Sequence, residues 1–210
     1  MRKRQPAGWS GDIFYQDPYR RRIFGRTPDA LRLALRLIDD AMDASIRKAD
    51  VFFFTLGLTE VFRNTRSGKI ACQIPGHGGG AGELETEFYQ STFEENLENM
   101  TRVVEMIQTI NPNAQIVLTV SPVRMSRTWT NYDVAVANNE MKSILRVVSG
   151  ELTRKYDNVT YFPSYELVME NYPVSFREDD SLHIANWIVY KIVTMFKAAH
   201  LRKSTALAAE

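Results

Sequence analysis

A single cysteine, Cys72, and only three histidines, His77, His183 and His200, leave this chain of 210 residues little material for disulfide or metal chemistry. One thiol closes no intrachain disulfide and builds no thiol cluster for structural zinc, and three scattered imidazoles make a poor ligand set. Neither a metal nor a cofactor is expected. Long apolar runs are missing as well. The longest, Val51 to Leu58 with Thr55 and Gly57 tolerated, is far below the ~20 residues of a membrane-spanning helix. The basic MRKRQPAGW at the front is followed by no apolar signal core, so the expected setting is cytoplasmic, without a membrane partner. Charge of one sign is also lacking: 26 Lys and Arg stand against 25 Asp and Glu. Nothing in that balance draws the protein to nucleic acid.

The chain has an ordinary globular composition, 44% hydrophobic and 24% charged, with enough length for one domain and a sizeable core. Residues 1–26 are rich in arginine, glycine, proline and aromatics, show no period, and read as an irregular arm. Its Arg20-Arg21-Arg22 run reads as a solvated face, with an anionic ligand as the alternative. A single domain is expected over 27–200, followed by a small-residue tail at 201–210 that frays. Thr27-Pro28-Asp29 is a helix start, combining a capping hydroxyl, a proline at the first helical position and an acid in the first turn.

Val51 to Leu56, almost wholly apolar, has the pattern of a strand covered on both faces. The segment Asn64 to Gly82, with six glycines and a proline, must be loop. Its His77-Gly78-Gly79-Gly80 lacks the spacing of a phosphate loop. Glu87 to Ile110 reads as a long helix, Gln115 to Val120 as the second strand, Val134 to Lys155 as another helix and Val159 to Phe162 as the third strand. A short helix at Tyr165 to Glu170 and a closing one at Ile184 to Ala199 complete the series. Strands separated by helical crossovers predict an α/β three-layer sandwich with a parallel sheet.

Polar residues gather where those strands end: Gly57, Thr59 and Glu60 after the first, Ser121 and Arg124 after the second, Ser164 after the third. Open α/β sheets place ligands at that edge. The loop after the third strand ends in Asp180-Ser181-Leu182-His183, an acid and an imidazole three positions apart. At a sheet edge, such a carboxylate holds the ring in one tautomer while the other nitrogen faces a reaction centre. The same residues also fit a plain helix start, with an acid favoured by the dipole and a histidine that merely packs.

TLGLTE at Thr55 to Glu60, LTVSPVR at Leu118 to Arg124, YFPSYE at Tyr161 to Glu166 and the DDSLH ending at His183 together resemble the GSCFA domain family, a relative of the SGNH/GDSL hydrolases. The resemblance covers roughly residues 17–196. It implies an SGNH/flavodoxin-like, doubly wound parallel sheet and serine-type acyl-ester chemistry, on a small-molecule or glycan ester, with Asp180 and His183 as two members of a triad. It also implies oxyanion or substrate contacts for Gly57, Thr59, Glu60, Ser121 and Arg124, and a bracing role for Tyr165 and Glu166. Thr59 replaces the asparagine of the superfamily's G-x-N-D block, and its hydroxyl has a shorter reach. Arg124 is expected either to bind an anionic or hydroxyl-rich substrate or to act as a structural clamp.

One departure is large: the Gly-Ser-Cys-Phe-Ala motif of the family name is absent. Ser10, in Gly8-Trp9-Ser10-Gly11, is its nearest imitation but follows no apolar strand, so the nucleophile stays unassigned. The expectation is a chain lacking the first strand or strands of the fold, which would leave the edge of Val51 to Leu56 open to self-association. Two readings from different classes therefore remain, an ester hydrolase or acyltransferase and a catalytically inactive ligand- or partner-binding domain. A nucleotide-binding domain is disfavoured, because Gly-Leu-Thr-Glu rather than a glycine-rich phosphate loop follows the first strand.

Overall fold

The computed structural model describes residues 2–4, 14–17, 19–20, 23–71, 85–179 and 181–200. Ser10, Cys72, the glycine-rich stretch after His77, Asp180 and the tail at 201–210 lie outside the described residues. Two compact units form, one from residues 1–52 and 58–114 and one from residues 53–57 and 115–210.

In the first unit, β1 (Arg2–Arg4), β2 (Phe14–Gln16) and β3 (Phe24–Gly25) pair antiparallel in that order. They lie in the described part of residues 1–26, where an irregular arm is expected from the sequence; at two or three residues each, they are too short to show a sequence period. Arg20 forms an ion pair with Asp39 at 2.7 Å. Helix α1 (Pro28–Lys48) starts as its capping sequence dictates, with Thr27 Oγ1 accepting the Ala30 N–H at 3.1 Å. Leu31 is fully buried where its backbone crosses Gly25. A Cβ on Gly25 would lie 2.4 Å from the Leu31 nitrogen, so only glycine permits that approach.

The first unit also corrects the reading of Glu87 to Ile110 as one helix. Strands β5 (Glu60–Asn64) and β6 (Thr86–Gln90) form an antiparallel pair, with Phe62 opposite Phe88 and Arg63 opposite Glu87. The Arg63 Nε reaches Glu87 at 2.9 Å, and its guanidinium lies over the Tyr89 ring. Helix α2 (Phe93–Ile110) begins only after a capping box, in which Thr92 Oγ1 accepts the Glu95 N–H and the Glu95 carboxylate accepts the Thr92 N–H at 2.8 Å. That box stops the helix from extending back into the strand. At its far end, the Asn111 side chain donates to the carbonyls of Ile46 and Ala49, both at 2.9 Å.

The second unit holds the sheet. Strands β4 (Val51–Leu56), β7 (Gln115–Val120) and β8 (Val159–Tyr161) form a parallel sheet in the order β4-β7-β8. Ile116, Leu118 and Val120 are fully buried, and Val117 and Thr119 nearly so, because both faces of β7 are covered. Helix α3 (Val134–Lys155) covers one face, bringing Met141 and Leu145 onto Val120, with Leu56 and Tyr161 beside them. Helix α5 (Asn186–His200) covers the other, where Phe196 meets Phe53 and Phe162 edge to face at 5.2 and 5.0 Å. Phe53 and Leu56 are three residues apart on one strand and so point to opposite faces, which gives the three layers of an α/β sandwich.

Strand β4 departs from the doubly covered pattern its composition suggests. It borders the sheet among the described residues, and Val51 and Phe53 are nearly half exposed. Among the described residues no helix is long and apolar enough to cross a membrane.

Replacing the buried Leu118 of the central strand by alanine should lower unfolding free energy by about 2 to 5 kcal/mol in urea denaturation. A loss of less than about 1 kcal/mol would show that β7 is not the packed centre described.

Candidate active site

The second unit brings three strand ends together. The Ser121 N–H donates to the Leu56 carbonyl at 2.8 Å, and the Phe162 N–H to the Leu118 carbonyl at 2.8 Å. These bonds level the exits of β4, β7 and β8, so Gly57, Ser121 and Ser164 leave the sheet at one edge. Ser164 opens α4 (Ser164–Met169) and is fixed there, its hydroxyl paired with that of Thr119 and within 3.3 Å of the Val120 carbonyl. Ser121 Oγ accepts the Val123 N–H at 3.3 Å, which ties it to its own turn.

Arg124 follows that turn. Its guanidinium carbon stands 4.5 Å from the centre of the Tyr172 ring and 4.6 Å from that of Phe176. The two rings meet at 70° and form a corner around the cation. Phe176 in turn pairs across an antiparallel bridge with Ile184, and the Arg177 N–H donates to the His183 carbonyl at 2.9 Å. His183 is exposed. Arg124 thus seats the Tyr172 to Phe176 loop, and the same loop fastens the backbone that carries His183. Beneath it, Val168, Phe176 and Ile188 form a buried cluster joining α4 to α5. Asp180, the acid proposed to orient His183, lies outside the described residues.

Glu166 is a fastening point of α4. It accepts from Arg146 Nε at 2.8 Å and from the Tyr161 hydroxyl at 2.9 and 3.0 Å, while the Arg146 guanidinium lies 4.1 Å from the Tyr161 ring centre. These contacts tie α4 to α3 and β8. Burial, reinforced by the hydrogen bond to Glu166, raises the Tyr161 phenol well above its ordinary value, so it stays a neutral donor. Tyr165 packs against the cluster of Val120, Met141 and Leu145.

Thr59 and Glu60 belong to the first unit. The Thr59 carbonyl accepts from the Ser91 N–H at 2.9 Å and from the Ser91 hydroxyl at 3.0 Å, while the Thr59 hydroxyl is buried without a hydrogen-bond partner among the described residues. Glu60 opens β5 and is buried. Among the described residues no group of three His, Cys, Asp or Glu side chains converges as a metal ion would require.

Sequence reasoning passed over Lys142. Only 2% exposed, this α3 lysine donates from Nζ to the Gly57 carbonyl at 3.1 Å and has no carboxylate partner among the described residues. Its register carried the signal: Leu145, Ser149 and Leu152 follow it at helical spacing, and all are buried. Burial drives its pKa down from 10.5 to about 8. The ammonium pins the exit of β4 where that strand meets the candidate site.

The family model named GSCFA matches residues 7–196. The chain belongs to the GSCFA family. The match spans both compact units and includes Ser10 as well as the strand-end motifs. No curated protein matches this GSCFA chain significantly.

The Lys142 environment predicts a pH dependence. In the unfolded chain lysine stays protonated to about 10.5, whereas in the folded GSCFA protein it releases its proton near 8. Between those values the unfolded state binds more protons, so the penalty for burying the charge fades as pH rises. Relative to Lys142→Met, the native protein should gain about 2 kcal/mol of stability between about pH 7.5 and about pH 9.5. Parallel urea-denaturation curves for the two proteins across that window would refute the buried charge.

Proposed function

We propose that this GSCFA protein is a serine-type ester hydrolase or acyltransferase related to the SGNH/GDSL hydrolases, acting on a small-molecule or glycan ester. The observation that carries the reading is the fastening of the His183 loop beside the strand exits, through Arg124 on Phe176 and the Phe176–Ile184 bridge. An exposed imidazole held at the carboxyl edge of a parallel sheet is where acyl chemistry needs a base.

In this reading His183 takes the proton of an attacking hydroxyl while that oxygen bonds to the ester carbonyl. Asp180 stabilises the imidazolium, and donors at the strand exits stabilise the tetrahedral oxyanion. Collapse of the intermediate breaks the bond to the leaving alcohol, and His183 returns its proton to that oxygen. Water or an acceptor hydroxyl then releases the acyl group by the same steps. Lys142 supports the reading by holding the Gly57 carbonyl, so the β4 exit keeps its shape as charge develops.

The test is hydrolysis of short-chain nitrophenyl esters by the full chain and by His183→Ala. The proposal expects the variant to lose about a hundredfold or more in kcat/KM. Equal rates in both proteins would sink it in favour of a ligand-binding domain without ester chemistry.

A further inference from the structure

We propose that Arg124, together with the Tyr165 hydroxyl, forms an anion-accepting subsite beside the strand exits, so that the preferred ester carries a carboxylate or phosphate group. This inference rests on the ester reading for its substrate class, while the anion subsite itself rests on the packing and charge around Arg124 and Tyr165.

Arg146, at the same end of the sheet, spends its guanidinium on Glu166 at 2.8 Å. Arg124 is half-buried and makes no hydrogen bond or ion pair with any carboxylate among the described residues. What holds it is aromatic, the Tyr172 and Phe176 rings at 4.5 and 4.6 Å. Rings that meet at 70° cannot both lie flat on one planar guanidinium, so at least one meets its edge, and the N–H donors that point away from the rings are left for another acceptor. Those nitrogens are also absent from the buried, unpartnered polar atoms of the described chain, so solvent or a ligand reaches them.

A structural clamp alone would need only the rings, and a planar fork of donors held in one orientation is matched to a two-oxygen anion. Restraint by two rings removes much of the side-chain freedom that binding would otherwise have to remove.

Tyr165 supplies the second donor. Its ring is anchored on the Val120, Met141 and Leu145 cluster, and its hydroxyl has no hydrogen-bond partner among the described residues. Met125, the chain neighbour of Arg124, packs on the same cluster, which puts Tyr165 and Arg124 at one end of it. Burial and the nearby Glu166 charge hold the Tyr165 phenol above the ordinary range, opposed by the charge of Arg124, so it remains a neutral donor. A cation and a neutral hydroxyl, both without acceptors among the described residues, select an anion over a neutral group. The same loop carries Phe176 next to the Ile184 bridge, which brings the subsite toward the backbone of His183.

The experiment has two arms on the full chain. In the first, the Arg124 Nε–Hε resonance, assigned by its loss in Arg124→Lys, is followed while methyl phosphate, propionate or chloride is added at constant ionic strength. In the second, kcat/KM is compared for a neutral nitrophenyl acetate and an anionic nitrophenyl succinate in the native protein, Arg124→Lys and Tyr165→Phe. The proposal expects a saturable shift with methyl phosphate or propionate and none with chloride, the responding probe telling phosphate from carboxylate. It also expects the succinate-to-acetate ratio to fall about tenfold in Arg124→Lys, mainly through KM, and less in Tyr165→Phe. A saturable shift without turnover of either ester leaves the anion subsite standing and removes the ester reading. No shift with either anion, or the same shift with chloride, overturns the subsite. If both esters are turned over and the ratio does not change in either variant, the substrate assignment is overturned.

Discussion

Strand β7 pairs on both sides, and the rest of the second unit depends on that double pairing. Its backbone takes β4 along one edge and β8 along the other, and the Ser121 to Leu56 and Phe162 to Leu118 bonds bring the three exits to a common level. A slip of one residue in either pairing would turn every side chain of the displaced strand to the opposite face. It would also carry Gly57 or Ser164 away from Ser121. Burial of Ile116 through Val120 on both faces makes such a slip expensive, because each register error would strip a packed strand of its partners.

Around that edge the protein places three cations with three different means of support. Lys142 is buried with a carbonyl as its acceptor, Arg146 has a carboxylate, and Arg124 has two aromatic rings. The first holds a strand exit and the second holds α4 against β8. The third orders a loop while keeping its donors available. Support by a carbonyl or by rings leaves the charges of Lys142 and Arg124 without a carboxylate partner among the described residues, which suits a site where negative charge develops on a carbonyl oxygen. The charge balance of the whole chain is close to neutral and conceals this local asymmetry.

Much of the second unit was legible in the sequence because its signals are local. Gln115 to Val120 and Val134 to Lys155 are recovered with the same bounds, since an apolar run and a sustained helical period leave little ambiguity. The start of α1 was legible from Thr27-Pro28-Asp29 for the same reason. Pairing partners were harder to read. Thr86 to Gln90 carries a helix-compatible glutamate, Glu87, and only the partnership with Glu60 to Asn64 makes it a strand. The short strands of the first 26 residues exist through pairing alone. In the candidate site, the strand-exit residues followed from topology, whereas Lys142 was hidden because nothing local marks a lysine as buried. The clamp on Arg124 was foreseen as one of two roles, but its aromatic partners lie about fifty residues downstream, beyond the reach of any local pattern.

The central claim, that His183 serves an acyl-transferring hydroxyl at this sheet edge, is tested most directly by covalent capture. Treating the full chain and His183→Ala with a fluorophosphonate and mapping the adduct by peptide mass spectrometry would reveal the hydroxyl that His183 activates. The account predicts one modified serine or threonine in the native chain and its loss in the variant. An unmodified native chain, or an adduct formed equally well without His183, would contradict it.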